Sequence, residues 1–121
     1  MPSLQLDLAA APDRETQRDL AARLTAIYAE VMDAPPEIVT VVFREAGVWR
    51  DGAPSALLMC DVRSGRPADT RAELSRRLIA ACAELLGLDP LAIKVEFTQH
   101  AGDEMYHPRL GGFNHDWGGP E

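Results

Sequence analysis

No stretch of the chain approaches the ~20 consecutive apolar residues that a membrane-spanning helix requires, and the N-terminus has no charged segment leading into an apolar one, so neither membrane insertion nor a secretory signal is expected. Positive charge is also scarce. Twelve Lys and Arg stand against nineteen Asp and Glu, a net charge of −7. Phosphate backbones are bound by basic faces, so nucleic acid is not an expected partner. Cysteine is limited to two residues, Cys60 in a strand pattern and Cys82 on a helix face. They read as buried thiols in a reducing compartment, which makes the cytoplasm the expected location. The three histidines, His100, His107 and His115, fall near the C-terminus at spacings that fit no zinc pattern, so no metal is expected. No glycine-rich loop follows a strand in a phosphate-binding context, so no nucleotide cofactor is expected either.

What the chain does have begins at its second residue. Pro2 opens an alternating segment, Pro2-Ser3-Leu4-Gln5-Leu6-Asp7-Leu8. A small second residue permits removal of Met1, which would leave a secondary amine on a rigid ring at the head of a strand. The reference α-amino pKa lies near ~7.7–8.0, and partial burial lowers it. Such an amine can carry protons at neutral pH without a His or an Asp. The plainer alternative is that Pro2 marks Met1 removal and nothing more.

The chain then repeats itself. Pro54-Ser55 leads into a second strand pattern, Ala56-Leu57-Leu58-Met59-Cys60-Asp61-Val62, as Pro2-Ser3 leads into the first. The closing segments also align without a gap: Pro36-Glu37-Ile38-Val39-Thr40-Val41-Val42-Phe43 against Pro90-Leu91-Ala92-Ile93-Lys94-Val95-Glu96-Phe97. Similarity at so long a period signals a duplicated unit, here β-α-β. The 121 residues form one domain, with a first unit over 1–53, a second over 54–99 and a tail over 100–121.

The helical period places the first helix from Arg14 to Met32, with Leu20, Leu24, Ile27, Tyr28 and Val31 as its apolar stripe. Asp13 is its expected N-cap, and Asp33-Ala34-Pro35-Pro36 ends it. The second helix is expected to start at a capping box, Thr70-Arg71-Ala72-Glu73. Its stripe is Leu74, Leu78, Ala81, Cys82 and Leu85, and Gly87 suits its C-terminus. Strands are expected over Leu4–Leu8, Ile38–Phe43, Ser55–Val62 and Ile93–Phe97. Two right-handed β-α-β crossovers give an α+β fold, a four-stranded sheet with both helices on one face. The other face is expected to be apolar and open, which points to a closed oligomer. Residues 44–53 read as a turn-rich connection carrying Trp49. The tail is too aromatic for simple disorder, with Tyr106, Phe113 and Trp117, and is expected to pack on a surface.

A proline at position two opening a doubled β-α-β chain of this length resembles the tautomerase superfamily. The long-chain members are the nearest in pattern: the macrophage migration inhibitory factor, malonate semialdehyde decarboxylase and cis-3-chloroacrylic acid dehalogenase groups. Val31-Met32-Asp33-Ala34-Pro35 with Val39-Thr40-Val41 is similar to the matching turn and strand of 4-oxalocrotonate tautomerases. Pro54-Ser55-Ala56-Leu57 and Leu88-Asp89-Pro90 are similar to parts of the migration inhibitory factors. The resemblance implies a homotrimer whose sheets form a central barrel, with a site around each N-terminal proline and no cofactor.

It also bears on side chains. From the residues alone, Arg63-Ser64-Gly65-Arg66 is either a solvated basic turn or a carboxylate site beside a helix N-terminus. The resemblance to the paired arginines of the dehalogenase and decarboxylase groups implies the second. Tyr28 falls where the dehalogenases place a histidine; it offers a hydrogen bond rather than a base, and its place in the stripe also reads as core packing. Glu96 stands near the position of an active-site tyrosine in relatives and departs from that pattern. Thr40 occupies the place of a substrate-binding arginine in 4-oxalocrotonate tautomerases. Arg44, Trp49 and Arg50, reaching over from a neighbouring subunit, are the expected replacements.

Three functions follow as expectations. The first is a cofactor-independent tautomerase or isomerase of a small enol or keto carboxylic acid, with Pro2 as general base. The second is a hydratase, dehalogenase or decarboxylase of three-carbon acids, with cationic Pro2 as general acid. The third is a non-enzymatic trimeric binding protein.

Overall fold

The computed structural model describes residues 2–113 of the chain; His115, Asp116 and Trp117 lie outside them. Four strands make the main sheet: β1 (Ser3–Leu8), β2 (Thr40–Glu45), β5 (Ala56–Arg63) and β6 (Ile93–His100). Two short strands, β3 (Trp49–Arg50) and β4 (Ala53–Pro54), form a hairpin between β2 and β5, and another pair, β7 (Tyr106–His107) and β8 (Gly112–Phe113), follows β6. The order across the sheet is β2-β1-β5-β6. β1 runs parallel to β2, β5 runs parallel to β6, and the central pair β1 and β5 is antiparallel. The two β-α-β units therefore meet back to back along β1 and β5.

The helices α1 (Arg14–Met32) and α2 (Ala68–Leu86) have equal length and pack on one another and on one face of the sheet. The Asp13 carboxylate accepts the Thr16 N–H at 2.8 Å and opens α1 as the sequence implies. Asp33 closes it in the left-handed conformation, and Gly87 does the same for α2. The core lies between the layers: Leu4, Leu6 and Leu58 from the sheet meet Leu24, Leu74 and Leu78 from the helices, all of them fully buried.

Three expectations are corrected. Helix α2 starts at Ala68, not at a Thr70 capping box: Pro67 takes the cap position with no side-chain bond, and Thr70 already sits in the third helical position. Its N–H instead donates to Asp69 Oδ1 at 2.8 Å, an acid placed where the helix dipole favours it. Second, Pro36–Ile38 and Pro90–Ala92 are 3-10 turns, each with proline at its start, so β2 begins only at Thr40. Third, the sheet face away from the helices is open among the described residues but largely polar. It carries Ser3, Gln5 and Asp7 from β1 and Lys94, Glu96 and Thr98 from β6, with Leu57 and Met59 as an apolar strip between them. An apolar face is thus no argument for oligomerisation here.

Residues 44–53 contain a two-residue hairpin turn. Asp51 and Gly52 both have positive φ, 51° and 74°, which the tight turn between β3 and β4 demands. In the tail, Tyr106 and Phe113 pack edge to face at 5.2 Å and remain exposed. No helix of the described residues is long and apolar enough to cross a membrane.

Candidate active site

Because β1 and β5 are antiparallel, β1 begins where β5 ends. Ser3 stands opposite Asp61, and the ladder extended by one step sets Pro2 beside Val62 and next to Arg63. The Pro2 carbonyl accepts the Thr40 N–H at 3.2 Å, which fixes the proline against the start of β2. Pro2 is buried.

Arg63 is the last residue of β5 and only 8% exposed. A guanidinium is retained at such burial only among polar or charged groups. The turn beyond it is tightly held. Gly65 adopts φ 102°, a conformation that favours glycine. The Ser64 N–H donates to the His100 carbonyl at 2.7 Å, and Arg71 Nε donates to the Arg66 carbonyl at 3.3 Å. Arg71 is itself stacked over the Phe97 ring at 5.8 Å. Arg66 therefore projects from a constrained loop directly ahead of the α2 N-terminus.

Tyr28 reaches this end of the sheet from α1 and is buried. Burial pushes its phenol well above the ordinary value, opposed by Arg66 and Arg63 and reinforced by Cys60 and Asp61. A phenol so held stays protonated and donates a hydrogen bond rather than acting as a base. Pro2, Tyr28, Arg63 and Arg66 are thus gathered at one end of one sheet.

Trp49, Arg50 and Glu96 are not. Trp49 and Arg50 sit in the β3–β4 hairpin at the opposite end, where Arg50 donates to the Leu91 carbonyl and Trp49 is 68% exposed. Glu96 lies mid-strand on the open face, level with Met59 and ion-paired with Lys94 at 3.4 Å. Three residue steps separate its row from that of Pro2, about 10 Å along the strand. Within one chain these residues do not join the Pro2 cluster.

Asp61 and Thr98, which the sequence pattern does not single out, and His100, weighed there only as a metal ligand, lie at the site end. Asp61 Oδ1 accepts from Thr98 Oγ1 at 2.7 Å, and His100 Nε2 lies 2.7 Å from the same oxygen. The polar interruption at Asp61, in an otherwise apolar strand run, was the available signal. Cys60 and Cys82, by contrast, are chemically quiet. Burial pushes both thiols up to about 12, Cys60 with a further rise from neighbouring Cys82.

The far end of the sheet is the duplicate of this one. A cavity of about 490 Å³ opens there, lined by Leu8, Ala9, Ala10, Pro54, Ser55 and Leu88 among others. Pro54 corresponds to Pro2, and Ala9-Ala10-Ala11-Pro12 corresponds to the loop from Arg63 to Pro67. The loop at the duplicated end lacks the two arginines.

Comparison with known proteins gives the same fold. Residues 2–47 match the family model described as Tautomerase enzyme. The solved structure of N1, a member of the cis-3-chloroacrylic acid dehalogenase family, superposes with a TM-score of 0.80 at 26% identity, over 88% of this chain and 80% of that one. A fused 4-OT, Q0, described as a symmetric trimer, gives 0.79 at 22% identity, over 88% and 91%. The macrophage migration inhibitory factor of Toxoplasma gondii gives 0.77 at 23% identity, over 88% and 96%. No curated protein matches the chain by sequence. The doubled β-α-β sheet with two helices on one face is a tautomerase fold. Residues 2–47 are thus similar to the tautomerase family, and the fold as a whole is similar to that of a cis-3-chloroacrylic acid dehalogenase family member.

Proposed function

We propose that the protein is a cofactor-independent tautomerase or isomerase acting on a small enol or keto carboxylic acid. Removal of Met1 would free the Pro2 nitrogen, which takes a proton from one carbon or oxygen of the substrate and returns it at another. Arg63 and Arg66 hold the substrate carboxylate and steady the enolate charge as it develops. Tyr28 adds a neutral hydrogen-bond donor. The observation that carries this reading is the antiparallel β1–β5 pairing, which brings the head of the first unit next to the arginine-bearing end of the second. Burial and the neighbouring Arg63 both disfavour a charged amine, which suits a base.

In this reading three chains assemble as in the fused 4-OT described as a symmetric trimer. Trp49, Arg50 and Glu96 then have a route to the site: from a neighbouring copy.

Ketonisation of phenylenolpyruvate and 2-hydroxymuconate, followed by ultraviolet absorbance, tests the proposal. Protein verified by mass to lack Met1 is expected to turn over at least one of them, and Pro2→Ala to do so about 100-fold more slowly. Equal rates for the two proteins would reject it. A second reading makes cationic Pro2 a general acid in hydration, dehalogenation or decarboxylation of three-carbon acids. The arginine pair and the 26% identity to a dehalogenase-family structure favour it. A non-enzymatic binding role is the outcome left by inactivity toward all of these substrates.

A further inference from the structure

His100 enters the site from three directions. It stands directly opposite Arg63 in the β5–β6 register, and its carbonyl accepts the N–H of Ser64 at 2.7 Å, inside the loop that carries Arg66. Its ring lies 2.7 Å from Asp61 through Nε2, and the same Asp61 oxygen takes the Thr98 hydroxyl. Asp61 in turn pairs with Ser3, the residue after Pro2.

A structural role accounts poorly for this arrangement. The His100 and Asp61 side chains are 45% and 30% exposed, and an ion pair so open to water contributes little to stability. The Ser64 bond already fastens the loop to β6. The cluster does define a chemical orientation. With Nε2 turned to Asp61, Nδ1 is left as the reactive nitrogen, and a carboxylate behind an imidazole holds the ring in one orientation. Pro2 and His100 flank β5, two strand spacings or about 10 Å apart between backbones, a distance that a small keto acid and one imidazole span across the end of β5. The reactive atom of Pro2 is its backbone nitrogen, which lies in the sheet plane and not on one face.

We propose that His100, oriented by Asp61, is a second catalytic residue of this site, handling the substrate oxygen while Pro2 handles the carbon. The proposal rests on the reading of Pro2 as a proton carrier. From keto to enol, neutral Pro2 takes the carbon-bound proton and the C–H pair becomes the C=C bond. The C=O π pair takes the proton from Nδ1 of the His100 imidazolium. Pro2 ends protonated and His100 neutral, and one proton exchanged through water restores both. Ketonisation is the same step reversed.

The test uses Met1-free chain with His100→Asn, His100→Gly, Asp61→Asn and Pro2→Ala, assayed for ketonisation of 2-hydroxymuconate and phenylenolpyruvate. Asn at position 100 removes the ring and carries no proton between states. His100→Asn and His100→Gly are both expected to lose about 100-fold in kcat, with KM within about twofold, and Asp61→Asn to lose less. Added imidazole is expected to speed His100→Gly and leave Pro2→Ala unchanged. A wild-type rate in His100→Asn, or no imidazole effect on His100→Gly, overturns the proposal while the role of Pro2 stands. Full activity in Pro2→Ala overturns the reading beneath it.

Discussion

Arg63 and His100 face each other across β5 and β6, and the Ser64–His100 backbone bond locks the loop after Arg63 onto the last strand. The cations are therefore positioned by the sheet ladder and not by their own long side chains. Arg66 gains most from this, since a guanidinium on a fixed loop loses less freedom when it grips a carboxylate.

Arg66→Ala is accordingly expected to raise KM for a carboxylate substrate roughly ten- to a hundredfold, the worth of one or two charge-assisted hydrogen bonds. Arg66→Lys keeps the charge but loses the bidentate fork, and should recover only part of that loss. Arg66 lies in the loop outside the core, so the melting temperature should barely move. Steady-state kinetics beside thermal melts separates the binding effect from a folding one.

Much of this fold is legible in local sequence because local physics decides it. The Asp13 cap, the α1 stripe from Leu20 to Tyr28 and the Gly87 stop each need only neighbouring residues. The aligned prolines at 36 and 90 mark the duplication, although each opens a 3-10 turn and not a strand. Thr70 misled because a local capping pattern was overridden by Pro67, which had already fixed the helix start. The family pattern points to Pro2, Arg63, Arg66 and Tyr28, and the antiparallel central pair sets them at one end of the sheet. His100 was not recognisable. The polar run Thr98-Gln99-His100 gives no alternation to mark a strand, and its partnership with Asp61 exists only across the sheet.

The two thiols offer a pH test of the core. Burial raises Cys82 to about 12 in the fold, whereas an unfolded cysteine titrates near ~8.5. A raised folded value means the stabilising contribution is complete below the unfolded value and is lost as pH climbs through the window up to about 12. Neither Cys60 nor Cys82 should react with an alkylating reagent at pH near 8 until the chain is unfolded in denaturant. Cys82→Ala should flatten the alkaline fall in melting temperature.

Asp13 gives the opposite slope at low pH. The Thr16 N–H holds its carboxyl below the usual carboxylate range. A depressed folded value contributes stability above the unfolded value, about 4, and loses it as pH falls through the folded one. Asp13→Asn retains a capping oxygen without the charge and should melt a few degrees lower near neutrality. The gap to the wild-type chain should close on acidification, as read by melting temperature against pH.

The sign of the pH–rate profile decides what Pro2 does. As a base, the amine must be neutral, the form that burial and a neighbouring guanidinium favour. The kcat/KM for enolisation of a keto acid should then rise with pH and level off below pH ~8, since that parameter reports the free enzyme. As an acid in hydration or dehalogenation, Pro2 must be charged, and the rate should fall over the same range. Protein retaining Met1 carries an amide at Pro2 and should be inactive in either case, with Pro2→Ala, a primary amine, about 100-fold slower at most pH values. A rate that is flat with pH and equal in all three proteins would remove Pro2 from the chemistry and leave the arginine pair as a binding site alone.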